Sequence, residues 1–301
     1  MKIQKLLKYL KCIHCNNEKL LLNKSILICS KCSQSYRVIK GIPVMLMDKE
    51  LSEQEQNQMN WYDNRYSKFS KDKYKLENWK LSMLNRLFNH DFKSEIKTYL
   101  DIGCGTSGYT IIEAVKKNNW ITIGADISIK GLFNIKNYAE KYGLMEKVGL
   151  VVCSAENLPF KKNTFDYASA ISLIEHIEDD NNVIKEICLV IAKNGYLYLT
   201  TPNTFFRIWP FFWPLYFYFD WKVGHKRHYS IERLDKTLIK NSFKRIKVIY
   251  NGHLTKIYQL LLQRYGLISD KKWWRIEKAD MNNNSIALQL NAVYKKTKLG
   301  K

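Results

Sequence analysis

Residues 98–110 read TYLDIGCGTSGYT, and this stretch decides the fold. Gly103, Gly105 and Gly108 spell G-x-G-x-x-G, the spacing usually assigned to a dinucleotide site. IKTYLDIG reads as a strand and SGYTIIEAVKKNN as the helix after it. Glycines at such a junction remove side chains, so that main chain approaches a ligand closely. Asp101, two residues ahead of the first glycine, argues against a pyrophosphate, because a carboxylate repels phosphate and attracts a cationic group.

Outward from this turn, strand and helix keep alternating. WITIGADIS, KVGLVVCSA, FDYASAISLIEHI and GYLYLTTPN read as strands, the third with its loop, and KGLFNIKNYAEKYG and DDNNVIKEICLVIA as helices. FKRIKVIYNG and SIALQLNAVYKK add two last strands. The pattern predicts an α/β fold with a doubly wound parallel sheet, whose ligand lies outside the strands' carboxyl ends where the winding reverses. Asp126 closes the second strand, 18 residues past Gly108, where a carboxylate accepts hydrogen bonds from ribose hydroxyls.

With DIGCGTSG, ADIS, AENLPF, LIEHIED and NGYLYLTTPN in view, residues 97–203 resemble a class I S-adenosylmethionine-dependent methyltransferase of the type 11 group, typified by ubiquinone and menaquinone methyltransferases. That cofactor carries a sulfonium and an ammonium and no phosphate, which suits an acidic loop. The resemblance implies a Rossmann-like, seven-stranded sheet with its last strand antiparallel. It also implies that Asp101, Gly103, Cys104 and Gly105 surround the methionine part and that Asp126 takes the ribose hydroxyls. Ile127 then packs on the adenine, with Ser154, Ala155 and Glu156 at its edge. Two departures stand out: Ser154 replaces the usual Asp, and Ser107 stands where the third glycine is expected, followed by Gly108.

Methyl transfer to an acceptor relies heavily on positioning, so no obligatory catalytic motif is expected. His176 is either a general base or part of the family's structural loop. VGHKRHYSIERLDKTLIKNSF resembles the substrate-side stretch of the same group, which makes His225, Arg227, His228 and Tyr229 acceptor-side candidates or pins for a lid. The segment 205–221, FFRIWPFFWPLYFYFDW, holds eleven aromatic residues broken by two prolines. It reads as a lid over an apolar acceptor, a lipid-facing patch, or packing on the sheet.

CIHC at 12–15 and CSKC at 29–32 lie 13 residues apart, two knuckles that complete a tetrahedral four-thiolate zinc site from Cys12, Cys15, Cys29 and Cys32. A closed site of this type is structural, and so small a segment depends on the metal to fold. The stretch resembles the zinc ribbons that accompany tRNA, ribosomal and translation-factor methyltransferases. LLLNKSILI reads as a hairpin, and QSYRVIKGIPVML as two strands around a turn at Gly41-Ile42-Pro43.

The expected organisation is therefore a ribbon over 1–49, a helical connection over 50–96, and a methyltransferase domain over 97–301 with a lid at 204–221 and an insertion at 252–284. Aromatic residues of the connection, among them Trp61, Tyr62, Phe69, Tyr74 and Trp79, are expected to pack on the core. The net charge of +21 falls as +8 on residues 1–49, 0 on 50–219, +10 on 220–278 and +3 on 279–301. Clustered positive charge favours a polyanion or an anionic membrane surface. No stretch of 18 apolar residues occurs and the first residues are too short an apolar run for a signal peptide, so a cytoplasmic protein is expected, free or peripheral on the inner membrane face. Three functions compete: methyl transfer to an apolar, lipid-linked or small-molecule acceptor, methyl transfer to RNA held by the basic ends, and a non-catalytic adaptor.

Overall fold

Tyr99 and Leu100 are both fully buried, pointing to opposite faces of β5 (Thr98–Ile102), the strand from which the rest of the sheet is laid out. In a computed structural model, residues 1–46, 53–67, 76–204, 217–218, 220–221, 224–252, 262, 265–281 and 287–297 are described. The principal sheet contains β5, β6 (Ile121–Asp126), β7 (Val148–Val152), β8 (Phe165–Ile171), β9 (Ile191–Pro202), β10 (Phe243–Asn251) and β11 (Gln289–Lys296). Their order is β10-β11-β9-β8-β5-β6-β7. β5 pairs in parallel with both β6 and β8, and β11 lies antiparallel between β9 and β10. The expected seven-stranded sheet with an antiparallel last strand is thus observed. The winding reverses between β5 and β8, which opens a crevice at their carboxyl ends.

Helices cover both faces because the strands are apolar on both. Behind Tyr99, α3 (Asn78–Phe88), α4 (Tyr109–Asn118) and α5 (Ile129–Lys141) bury Leu87, Ile111, Ile112, Leu132 and Ile135. Behind Leu100, α6 (Asp180–Val190) and the helix Ile231–Lys240 bury Ile184, Ile187, Leu234 and Leu238. Ser128 caps α5, accepting the Gly131 N–H at 3.1 Å, and Ser230 caps Ile231–Lys240 through the Arg233 N–H at 3.3 Å.

The amino-terminal segment forms a four-stranded sheet of β1 (Leu20–Asn23), β2 (Ile26–Cys29), β3 (Ser35–Ile39) and β4 (Ile42–Pro43). The turn between β3 and β4 is Lys40-Gly41, one residue earlier than expected, because both adopt positive φ (49° and 81°) as a two-residue hairpin requires. This unit is continuous with the large sheet. Leu6, Leu10, Leu27 and Met45 share one buried cluster with Leu100, Ile123 and Phe160. Met45 N–H donates to Val152 O at 2.8 Å, Lys11 N–H to Pro159 O at 2.9 Å, and Lys161 N–H to Tyr9 O at 2.9 Å. The otherwise open edge strand β7 is covered in this way.

Of the connection, α2 (Glu53–Ser67) and α3 are the two helices expected, while Phe69 and Tyr74 lie outside the described residues. Trp61 and Trp79 are not buried in the core as expected: they are 42% and 39% exposed, Trp61 because α2 lies on α5 at the mouth of the crevice, and Trp79 at the start of α3, edge-on to Tyr109 at 6.2 Å. Thr204, Phe217, Tyr218, Asp220 and Trp221 of the expected lid are described, and the remainder, with Trp209, Phe212 and Trp213, lies outside the described residues. The expected insertion contributes the helix Asp270–Met281, tied to α3 by the buried ion pair of Arg86 with Glu277 at 2.9 Å. Among the described residues no helix is long and apolar enough to cross a membrane.

Candidate functional site

The crevice holds two adjoining compartments. The first, about 200 Å³, is lined by Gly103, Asp126, Ile127, Ser154, Ala155 and His176 among others. The second, about 440 Å³, is lined by Asp101, Gly103, Cys104, Gly105, His176 and His225, and roofed by Trp61, Tyr62 and Trp79. Tyr62, Gly103, Ile171, Ser172 and His176 border both.

Two buried carboxylates set the electrostatics. Asp126 Oδ2 accepts the Gly105 N–H and Oδ1 the Ser128 N–H, each at 2.8 Å. Asp101 Oδ1 accepts the Ser169 hydroxyl at 2.6 Å, and Oδ2 accepts the Thr110 hydroxyl. Burial pushes both acids up to about 6; hydrogen bonds pull each down, while Asp63 for Asp126, and Asp126 for Asp101, push further up. Neither has an ion-pair partner among the described residues, so the site presents negative charge for a cationic ligand. Each carboxylate oxygen has a second lone pair beyond the bond it already accepts.

The glycines divide their tasks. Gly103 and Gly105 line the larger compartment at φ of 69° and 65°. Gly108 lines neither compartment. It sits at φ 54° at the start of α4, and an added Cβ would lie 2.7 Å from Ile135 Cγ1 of α5, so its place is set by helix packing.

On the acceptor side, His176 and His225 face each other with ring centroids 4.9 Å apart. Burial lowers both, His176 to about 4 and His225 against the opposing pull of Asp220. The other three candidates lie away from the two compartments. Tyr229 is buried and donates to Asp180 Oδ2 at 2.6 Å, and Arg227 pairs with Asp180 Oδ1 at 3.1 Å. His228 stands 2.8 Å from Asp220 Oδ2 and 3.0 Å from Asn203 O. Glu156 also lines neither compartment; its N–H donates to Ser154 Oγ at 3.1 Å and its carbonyl accepts from Asn182. Tyr62, expected from sequence to pack on the core, instead borders both compartments, and Thr110 and Ser169 were not singled out, being only hydroxyls in ordinary helix and strand positions.

In the amino-terminal unit the four thiols of Cys12, Cys15, Cys29 and Cys32 lie within 4.8 Å of one another. The pairs Cys12–Cys32 and Cys15–Cys29 are 3.6 and 3.5 Å apart. A tetrahedron with zinc–sulfur bonds of about 2.3 Å has edges of about 3.8 Å, so this donor set fits that ion.

The "Methyltransferase domain" family matches residues 100–199, which span the glycine turn, both acids and most of β9. Residues 100–199 are thus similar to a methyltransferase domain. A norajmaline N-methyltransferase from Rauvolfia serpentina is 38% identical to the chain over 99 residues, 33% of this chain and 34% of that one. A ubiquinone/menaquinone biosynthesis C-methyltransferase UbiE from Rickettsia prowazekii is 32% identical over 145 residues, 45% of this chain and 58% of that one. The chain therefore spans about a third and somewhat over half of the length of these two relatives. The fold of the methyltransferase domain is shared with solved structures. A geranyl diphosphate C-methyltransferase from Streptomyces coelicolor superposes at a TM-score of 0.60 with 12% identity, covering 82% of this chain and 98% of that one. A putative sarcosine dimethylglycine methyltransferase from Galdieria sulphuraria does so at 0.57 with 13% identity, covering 82% and 99%.

Proposed function

We propose that the chain transfers a methyl group from S-adenosylmethionine to a small-molecule or lipid-linked acceptor. The observation that carries this reading is the pair of buried acids, Asp101 and Asp126, at the ends of neighbouring strands without a cationic partner among the described residues. When bound, the cofactor supplies a methyl group already activated on a sulfonium. Asp126 accepts the ribose hydroxyls with its remaining lone pairs, Ile127 and Ala155 border the adenine with Ser154, and Asp101 faces the cationic methionine end beside Gly103, Cys104 and Gly105. Tyr62, Trp61 and Trp79 exclude water from above. His176 borders both compartments, between the cofactor and the acceptor.

A small or lipid-linked acceptor is supported by the relatives, whose names speak of a quinone pathway and of norajmaline. Peripheral contact with an anionic membrane is supported by Phe217, Tyr218 and Trp221, 60%, 59% and 79% exposed, at the start of a strongly basic segment. The four thiols are assigned a structural Zn2+, with the ribbon over residues 1–49, a connection over 50–96, and the methyltransferase domain with its lid over 97–301.

The test is incubation of the protein and cell extract with S-adenosylmethionine carrying a labelled methyl group, followed by phase separation. Label entering the organic phase or the small-molecule fraction is the expected result. Label confined to RNA would replace this acceptor class with the polyanion.

A further inference from the structure

Glu175, His176 and His225 converge at the wall of the larger compartment from two separate stretches of chain. A carboxylate oxygen of Glu175 and one ring nitrogen from each histidine lie within 4.8 Å of one another. Glu175 is fully buried, and among the described residues neither carboxylate oxygen has a hydrogen-bond partner. A buried carboxyl group in that condition either keeps its proton or meets a cation that displaces it.

Both imidazoles have an acceptor at Nδ1. His225 Nδ1 lies 2.8 Å from Asp220 Oδ1, and His176 Nδ1 lies 3.2 Å from Gly224 O. These acceptors select the tautomer with the proton on Nδ1 and the lone pair on Nε2. Carboxylates and main-chain carbonyls orient metal-binding histidines in this manner. Asp220 is itself fixed on its other oxygen by His228 at 2.8 Å.

We infer that Glu175, His176 and His225 form a divalent-cation site on the acceptor side of the cavity. Two imidazoles and one carboxylate suit Zn2+, Co2+ or Fe2+ better than Mg2+ or Ca2+. Three protein ligands leave coordination positions open, unlike the closed four-thiolate site of the ribbon. Both histidines line the larger compartment, so an oxygen-bearing group of the acceptor, such as a phenol or hydroxyl, is the ligand that completes the shell. That last step rests on the proposed function, with the acceptor entering the larger compartment beside the methionine end of the cofactor. It also assigns His228 and Asp220 a positioning role.

The test is a calorimetric and visible-absorption titration with Co2+ of protein whose ribbon is already loaded with zinc, without S-adenosylmethionine. One further cation per chain is expected, with the weak ligand-field bands of nitrogen and oxygen donors and no thiolate charge-transfer band. Glu175→Gln and His225→Ala should each weaken it at least tenfold while retaining the ribbon zinc and a cooperative melt. No additional cation on the unaltered protein, or equal binding by the two folded variants, overturns the site. S-adenosylhomocysteine titrated separately keeps the two readings apart. Heat with it but not with Co2+ removes the cation site alone, and the reverse removes the cofactor reading alone.

Discussion

The Gly105 N–H donates to Asp126 Oδ2 at 2.8 Å, tying the glycine turn after β5 to the end of β6. One carboxylate thereby shapes the loop and faces the first compartment. Its protonation state matters for both tasks. Burial holds Asp126 and Asp101 near 6, with each other and Asp63 as the acidic neighbours. Only the carboxylate form accepts ribose hydroxyls and attracts a cation, so affinity for S-adenosylmethionine should rise with pH through about 6 and level off above it. Calorimetry in buffers of different ionisation enthalpy should show protons released on binding at pH 6 and almost none at pH 8. Affinity independent of pH between 5 and 8 would contradict the assignment.

The ribbon brackets the loop that lines the first compartment. Met45 grips Val152, and Tyr9 and Lys11 grip 159–161, on either side of Cys153, Ser154 and Ala155. Substituting Cys32→Ser, or removing the metal with a chelator, should therefore lower the melting temperature of the whole chain in one transition. It should also weaken cofactor binding severalfold, although no ribbon residue lines the cavity. Separate melting of a small unit with unchanged affinity would show that the ribbon is an independent appendage.

Gly108 offers a control within the glycine motif. In Gly108→Val the new Cβ meets Ile135 at 2.7 Å while φ stays near 54°, which should cost about 2–4 kcal/mol of stability. Cofactor affinity of the folded fraction should hold, because Gly108 lines neither compartment. Urea denaturation and calorimetry of the same sample check both halves; a variant of unaltered stability would refute the packing role.

Much of this arrangement was legible in the sequence, for a physical reason. Strands buried on both faces, such as VGLVV at 148–152, leave a continuous apolar run, and the turns between them carry glycine and acid at fixed offsets. Pairings between distant segments leave no such trace. Met45 against Val152 is a main-chain contact that any residue except proline at 45 would make. The roof built from Trp61 and Tyr62 depends on where α2 lands, and its Gln- and Asn-rich sequence has too weak an apolar face to reveal that. Arg227 and Tyr229 read from sequence as acceptor-side candidates or pins for a lid, and a charge and a phenol serve equally well to hold Asp180.

That reassignment has its own consequence. Tyr229→Phe removes the 2.6 Å bond to buried Asp180 and should cost about 1–3 kcal/mol of stability. KM for acceptor and cofactor should change little once folding is accounted for. A stable variant with a large loss of transfer rate would restore Tyr229 to the reacting centre.

The central claim is that the glycine turn and the two acids hold a sulfonium cofactor and not a pyrophosphate. Calorimetric titration of the zinc-loaded chain at pH 8 with S-adenosylmethionine, and in parallel with NAD, tests it most directly. One S-adenosylmethionine per chain is predicted, weakened at least tenfold in Asp126→Ala, with no heat from NAD. Saturable heat from NAD and none from S-adenosylmethionine would contradict the account.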